Sequence, residues 1–334
     1  MTKKNSNFAM AEKMHAVRVS EPGGPAVLQY VQVLRPEVRE GWSLVQVYGF
    51  GINHSEIFTR EGKSPSVHFP RILGIECVGV VAESTDPARL IPGMKAVSLM
   101  GEMGRAFDGS YAEYVLLPNE QIYPIETDLS WECAAAIPET FYTAYQSLEN
   151  LRISSGAKVL VRGGTSGVGV AFLRLLKAGY PNTPVFGTTR DMNKEQRLLD
   201  VGFDGVIFDD NGLLATDERF DRVLELIGPA TMKDTCAHVV EGGIICSTGQ
   251  LGGQWYLDGF DPIMDLPPNG YLTSAYSDNV EERAVQELFA YVEANDVDVV
   301  PERVFCLSEV RSAHEYLASA HSFGKVVVLN DIAL

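Results

Sequence analysis

Lys158-Val-Leu-Val-Arg-Gly-Gly-Thr-Ser-Gly-Val-Gly-Val-Ala-Phe-Leu-Arg-Leu-Leu-Lys-Ala-Gly179 is the stretch whose reading decides the fold. Apolar, strand-like residues 159–161 and then Arg162 run into Gly163, Gly164, Gly167 and Gly169, and an apolar, helix-compatible segment follows at once. The pattern is a strand, a tight turn and a helix. Glycine is needed there if a dinucleotide pyrophosphate lies against bare backbone at a helix N-terminus, where free N–H groups and the helix dipole favour negative charge. The spacing Gly164-x-x-Gly167-x-Gly169 is a variant of the usual fingerprint, and a glycine cluster of this kind also makes an ordinary strand-to-helix turn. A triphosphate-binding loop is excluded, because no Lys-Ser or Lys-Thr follows the last glycine. On the dinucleotide reading, Gly164, Thr165, Ser166, Gly167 and Val168 cradle the phosphates.

Outward from this loop, apolar strands alternate with helices from Trp131 onward, with strands expected at 159–162, 184–188, 206–208, 222–227 and 243–247. Such alternation predicts a doubly wound parallel sheet whose ligand crevice lies at the carboxyl ends of the strands. A helical stretch over 131–150 is broken at Pro138. Upstream, period-two patterning between Gly and Pro breaks over residues 14–50, and again near 77–82, 94–99 and 111–117, predicts a β-rich domain. Downstream, a loop rich in Asp, Pro and Gly runs to Gly270. A helix with Val280, Ala284, Val285, Leu288, Phe289 and Val292 on one face follows, with Asp278 as its expected N-cap, and then a strand, a helix and a strand to Leu329. The expected division is 1–129 for the β-rich domain, its first 13 residues a flexible tail, 130–265 for the Rossmann-like domain, and 266–334 for a return segment that completes the first.

The second strand of the α/β part ends in Thr188, Thr189 and Arg190, where an NAD-binding chain usually carries an acid for the ribose hydroxyls. A methyltransferase, the other common owner of a glycine-rich loop, is disfavoured by the same missing acid. An arginine there can pair with a 2′-phosphate, and Lys194 and Arg197 on the following helix add positive charge. NADPH is the expected cofactor, although Asp191 stands next door.

Composition bounds the partners. With 27 basic and 44 acidic residues, the formal charge is −17, which argues against nucleic acid or an anionic membrane. No apolar run approaches the roughly eighteen residues of a membrane span. The five cysteines, Cys77, Cys133, Cys236, Cys246 and Cys306, form no Cys-x-x-Cys pair and read as free thiols, so a cytoplasmic location is expected.

With these residues placed, the chain resembles the zinc-independent quinone oxidoreductase branch of the medium-chain dehydrogenase/reductase superfamily from about His15 to Leu329. The resemblance rests on Gly51-Ile-Asn-His-Ser-Glu56, Leu73-Gly-Ile-Glu76, Gly109-Ser-Tyr-Ala-Glu-Tyr114, Pro138-Glu-Thr-Phe-Tyr-Thr-Ala-Tyr145, the glycine loop, Thr248-Gly249 and Ser322-Phe-Gly-Lys-Val326. It implies a GroES-like catalytic domain beside the Rossmann-like one. It also implies that Asn53 lies beside the nicotinamide and the reacting carbonyl, with Thr140 or Thr143 and Phe323-Gly324-Lys325 near other parts of the cofactor. Ile227 and Thr248-Gly249 complete the expected cofactor contacts. Where zinc-dependent relatives hold metal through Cys, His and Cys, this chain has Asn53, Ile75 and Glu139, so no metal is expected.

Without a Lewis acid the hydride acceptor must itself be electrophilic, a quinone or an alkene conjugated to a carbonyl. Many relatives carry tyrosine where this chain has Phe58, which cannot give a proton; Tyr48 and Tyr142 are alternative donors. The expected activity is NADPH-dependent reduction of such a small-molecule electrophile. The alternative is a nicotinamide-binding redox sensor or structural protein without turnover. The resemblance further implies a homodimer, paired through an edge strand such as 243–247 or the loop after it.

Overall fold

The computed structural model describes residues 12–333. Most of the expected N-terminal tail lies outside the described residues, and Lys13 is already paired in the strand Lys13–Val19.

The fold is mixed α/β. Seven strands form one sheet in the order Leu213–Leu214, Gly205–Asp210, Val185–Thr189, Val159–Arg162, Phe220–Glu225, Val239–Ser247, Tyr271–Ser274. All pairings in it are parallel except the one that joins Leu213–Leu214. The chain starts at Val159–Arg162, builds outward on one side and then returns to the other. The topological switch therefore falls between Val159–Arg162 and Phe220–Glu225, where a doubly wound sheet opens its crevice.

The second large sheet is β-rich and mostly antiparallel. It runs Arg303–Cys306, Val326–Leu329, Trp42–Ile52, Glu76–Glu83, Lys95–Leu99, Tyr123–Pro124, with Tyr114–Pro118 also paired to Trp42–Ile52. Trp42–Ile52 can take two partners on one side because it is long: residues 42–46 pair with Tyr114–Pro118 and residues 49–52 with Val326–Leu329. A smaller sheet pairs Leu28–Leu34, Lys13–Val19 and Arg71–Ile72.

Two helices tie the sheets together. Trp131–Ala136 and Pro138–Leu151 are separated at Pro138, which occupies the first turn of the second helix, where its missing N–H costs nothing. Ala134, Ala135, Ala136, Phe141 and Leu148 share one apolar core with Val78 and Val97 of the β-rich sheet and with Val161 and Leu224 of the parallel sheet. A continuous core fixes the cleft between the sheets.

Three local expectations need correction. The strand Tyr271–Ser274 joins the parallel sheet, although residues 266–334 were expected to return wholly to the first domain. The segment 243–247 is flanked on both sides, by Phe220–Glu225 and Tyr271–Ser274, so the free edge on that side is Tyr271–Ser274. The N-cap position of the helix Glu282–Ala294 is Glu281 rather than Asp278, with no side-chain capping bond, and the Asp278 carboxylate instead accepts the Tyr276 hydroxyl at 2.7 Å.

Candidate active site

The glycine loop leaves Val159–Arg162 with Gly163 at φ +95°, a conformation that side chains resist, and enters the helix Gly167–Gly179. Ser166 caps that helix, its hydroxyl accepting the Gly169 N–H at 3.1 Å. A Cβ on Gly169 would lie 2.6 Å from the Gly163 carbonyl oxygen, so only glycine permits this close return of helix on turn. The first-turn N–H groups of Gly167 and Val168 have no intrahelical acceptor, and both residues line the cleft with Ser166. From the β-rich half, the Gly324 N–H donates to the Thr165 carbonyl at 3.1 Å. Segments 163–168 and 323–325 therefore meet at one end of the cleft, as a bound dinucleotide requires.

The second strand end is arranged differently from the sequence expectation. Thr188 and Thr189 are buried and used internally: the Thr188 hydroxyl accepts the Gly163 N–H at 2.9 Å, and the Thr189 hydroxyl donates to the Asp191 carbonyl at 3.0 Å. Lys194 donates to the Ser322 carbonyl at 2.8 Å. Arg197 pairs with Glu302 and lies 4.3 Å over the Phe323 ring. Arg190 is exposed and has no ion-pair partner among the described residues. The Asp191 carboxylate turns back onto Asn193, accepting its backbone N–H at 3.1 Å and its side-chain amide at 2.8 Å. The neighbouring acid is thereby occupied within its own turn.

The centre of the cleft is a buried polar knot. Glu76, fully buried, accepts three hydrogen bonds: from Lys325 Nζ at 2.6 Å, from Asn53 Nδ2 at 2.8 Å and from the Glu139 N–H at 2.7 Å. The last donor is in the first turn of Pro138–Leu151, where a carboxylate meets unpaired N–H groups and the positive end of the dipole. Asn53 Oδ1 accepts from Lys325 Nζ at 2.7 Å and from the Thr140 hydroxyl at 3.4 Å. The Asn53 side chain thus bonds to Lys325, Glu76 and Thr140 from the N-cap position of the helix His54–Arg60. Thr143 donates to Glu139 at 3.2 Å, and burial, the largest influence, raises the Glu139 carboxyl above its ordinary range.

Glu56 holds the knot from behind. Its two carboxyl oxygens accept the N–H groups of Asn53 at 3.0 Å and Ile75 at 3.3 Å. Burial first, and then the charge of Glu76, push Glu56 up to about 8 from the ordinary 4.5. The folded state therefore keeps a proton that the unfolded chain gives up. Glu56 contributes stability that is complete below about 4.5, declines as pH rises and is gone above about 8. We expect the stability difference between the parent and Glu56→Gln to shift toward the variant as urea titrations move from about pH 5 to about pH 9. A difference that stays constant with pH would contradict a protonated Glu56. At the far end of its helix, Arg60 donates to His314 Nδ1 at 3.2 Å, which leaves His314 Nε2–H to donate to the Tyr111 hydroxyl at 3.0 Å. Burial, followed by the Arg60 charge, drives His314 down to about 3, so that ring is neutral.

Around the knot is a cavity of about 680 Å³ whose lining includes Asn53, Thr140, Thr143, Ser166, Gly167, Val168, Thr248, Gly249, Gly324 and Lys325. Gly164, Thr165, Thr188, Thr189, Arg190, Lys194, Ile227 and Phe323 stand outside that lining. Phe58 and His54 line it, and burial, reinforced by Lys325, lowers the His54 imidazole. The two alternative tyrosine donors do not reach it. Tyr48 packs on Trp131 at 4.3 Å between ring centroids, and the Tyr142 hydroxyl is spent on Asn279 and Glu281. The acidic trio Glu56, Glu76 and Glu139 was missed as a unit, because 83 residues separate its first and last members and only the fold brings them together. Each member does stand in one of the motifs that carry the resemblance, Glu56 closing Gly51–Glu56, Glu76 closing Leu73–Glu76 and Glu139 following Pro138.

The residues at the place of a catalytic zinc do not fit that ion. Ile75 has no donor atom, the Asn53 oxygen accepts from an ammonium, and Glu139 is engaged by Thr143. A cation already occupies the knot, in the form of Lys325.

Two family profiles match the chain: "Alcohol dehydrogenase GroES-like domain" over residues 39–127 and "Zinc-binding dehydrogenase" over residues 201–328. Among curated proteins, the chain is 26% identical to "Synaptic vesicle membrane protein VAT-1 homolog-like" of Homo sapiens, with 95% of this chain and 81% of that protein covered. It is also 26% identical to "NADPH-dependent alkenal/one oxidoreductase, chloroplastic" of Arabidopsis thaliana, covering 97% and 81% respectively. Among solved structures, the quinone oxidoreductase from Coxiella burnetii superposes with a TM-score of 0.79 at 25% identity, covering 95% of this chain and 99% of that one. A GroES-like half, a dinucleotide-type parallel sheet and oxidoreductase relatives along nearly its whole length establish that this chain belongs to the medium-chain dehydrogenase/reductase superfamily.

Proposed function

We propose that the protein is an NADPH-dependent, zinc-independent reductase of quinones or α,β-unsaturated carbonyl compounds. The observation that carries this reading is the Lys325–Asn53–Glu76 knot at the wall of the cleft, which puts hydrogen-bond donors where zinc-dependent relatives put a metal. An ammonium has three N–H donors, and Lys325 spends two, on Asn53 and Glu76. The third is free for an acceptor's oxygen, where negative charge grows during reduction, and a preorganised donor of this kind stabilises that charge. Lys325 also supplies the proton source that Phe58 cannot.

Gly167, Val168 and Ser166 hold the pyrophosphate, and Arg190, with Lys194 behind it, faces the 2′-phosphate. NADPH bound there supplies the hydride. The Arabidopsis alkenal/one oxidoreductase, NADPH-dependent by name, and the Coxiella quinone oxidoreductase support the cofactor and the acceptor class. Five free thiols are in keeping with the reducing cytoplasm, and the free edge Tyr271–Ser274, with Tyr271 and Leu272 exposed, supports pairing into a homodimer.

Purified protein given NADPH and a panel of quinones and enones should consume NADPH only when an acceptor is present. No acceptor-dependent loss of NADPH absorbance across the panel would defeat the reading. Replacing Arg190 with Glu should weaken NADPH relative to NADH by about tenfold to a hundredfold, the worth of one charge-assisted hydrogen bond. Equal weakening of both cofactors in a titration would remove Arg190 from the 2′-phosphate.

A further inference from the structure

The cavity carries further side chains in its lining that hydride transfer does not use. Lys63, Ser64, Ser66, Glu102, Arg105 and Trp255 line it. Phe58 and Trp255 meet edge to face, with ring centroids 5.6 Å apart at 82°, and form an apolar wall. The other lining charges, apart from the exposed Glu102, are accounted for. Lys325 is bonded to Glu76, Glu139 accepts from Thr143, and Lys63 pairs with Glu61 at 2.8 Å.

Arg105 is different. Its Nε is buried and has no hydrogen-bond partner among the described residues, and no carboxylate among them lies within ion-pair distance, the neighbouring Glu102 included. Leaving a buried donor unmet costs about 1–3 kcal/mol. In a chain with 44 acids and 27 bases, such a cation would be easy to pair. The loop that carries it is also rigid. The Arg105 and Ala106 N–H groups both donate to the Glu102 carbonyl at 3.0 Å, Met103 is fully buried, and Gly109 lies so near Gly74 that a Cβ would stand 2.1 Å from its carbonyl oxygen. The backbone that carries Arg105 is therefore fixed at the cavity lining.

We propose that the acceptor carries an anionic group, a carboxylate or its equivalent, at the end remote from its electrophilic carbon, and that Arg105 binds that group. A planar guanidinium matches a carboxylate through two parallel N–H donors, a geometry lysine cannot offer. The electrophilic end then lies at Asn53 and Lys325, and the apolar body lies along Phe58 and Trp255. This assignment rests on the reductase reading and narrows its substrate class.

The test compares benzoylacrylate, an aromatic enone with a free carboxylate, with its methyl ester, in the parent, Arg105→Leu and Arg105→Lys. In the parent, the acid should be the better substrate by kcat/KM. The acid-to-ester ratio should fall at least about tenfold in Arg105→Leu, chiefly through KM, with partial return in Arg105→Lys. A ratio that moves less than about twofold between parent and leucine variant overturns the anion site. Where neither compound is turned over, quenching of tryptophan fluorescence by the acid tests the anion site on its own. Binding that weakens at least about tenfold in Arg105→Leu keeps the anion site while the reductase reading fails, and equal binding in both proteins overturns the site. A thermal midpoint at or above the parent's is expected for Arg105→Leu, since Arg105 makes no internal side-chain hydrogen bond among the described residues and its unmet buried donor is removed.

Discussion

Lys325→Met is expected to lower stability by about 3–5 kcal/mol and acceptor reduction by about a hundredfold or more. The stability loss follows from burial: Glu76 is fully enclosed, and without the ammonium its charge has only the Asn53 amide and one helix N–H to meet it, with Glu56 and Glu139 close by. The catalytic loss follows from position, since Lys325 lines the cleft with one donor uncommitted among the described residues. The two effects can be separated. In Lys325→Met combined with Glu76→Gln, the buried charges leave together, and replacing a whole buried pair by neutral groups of similar volume is often neutral for stability. Denaturation of the double variant should return close to the parent while its reduction rate stays low. If the rate returned with the stability, Lys325 would be a structural cation only.

Arg162→Met carries the second large expected effect, a loss of about 3–5 kcal/mol of stability. Arg162 is the last residue before the glycine loop and is wholly buried. Its guanidinium meets Asp209 at 3.0 Å, Asp234 at 2.7 Å, the Thr235 hydroxyl at 2.8 Å and the carbonyls of Gly212 and Thr231 at 2.8 and 3.2 Å. Methionine fills part of the space but leaves two carboxylates without their cation. Because the same residue anchors the strand from which the loop springs, NADPH affinity should fall together with the urea midpoint. Stability within about 1 kcal/mol of the parent would mean that Asp209 and Asp234 find other partners.

Arg162 also marks the reach of local sequence patterns. The strand, the turn and the helix around it are legible, because glycine spacing and apolar periodicity are local properties. Nothing local announces that an arginine beside a glycine loop is among the most enclosed side chains of the molecule; its partners come from 47 to 73 residues further along. The knot is similar. Asn53, Thr140 and Lys325 are each expected near the cofactor, but the convergence of Asn53 and Lys325 on Glu76, with Thr140 reaching Asn53, depends on sheet register across the whole β-rich half. Thr188 and Thr189 stand at a strand end where ligand contacts are expected, and the structure shows them serving the glycine loop and the following turn. The edge strand Tyr271–Ser274 is hard to foresee because it is short and its alternation is weak after a loop rich in Gly and Pro.

In the proposed mechanism, reduction depends on a buried ammonium and its asparagine in place of a metal. The most direct test is the rate of NADPH oxidation with a responsive quinone or enone, measured on one preparation before and after exhaustive dialysis against a chelator, with bound zinc quantified in both. An unchanged rate and zinc far below one atom per chain are predicted. Zinc near one atom per chain, with a rate that falls as the metal is removed and returns when it is restored, would contradict the mechanism.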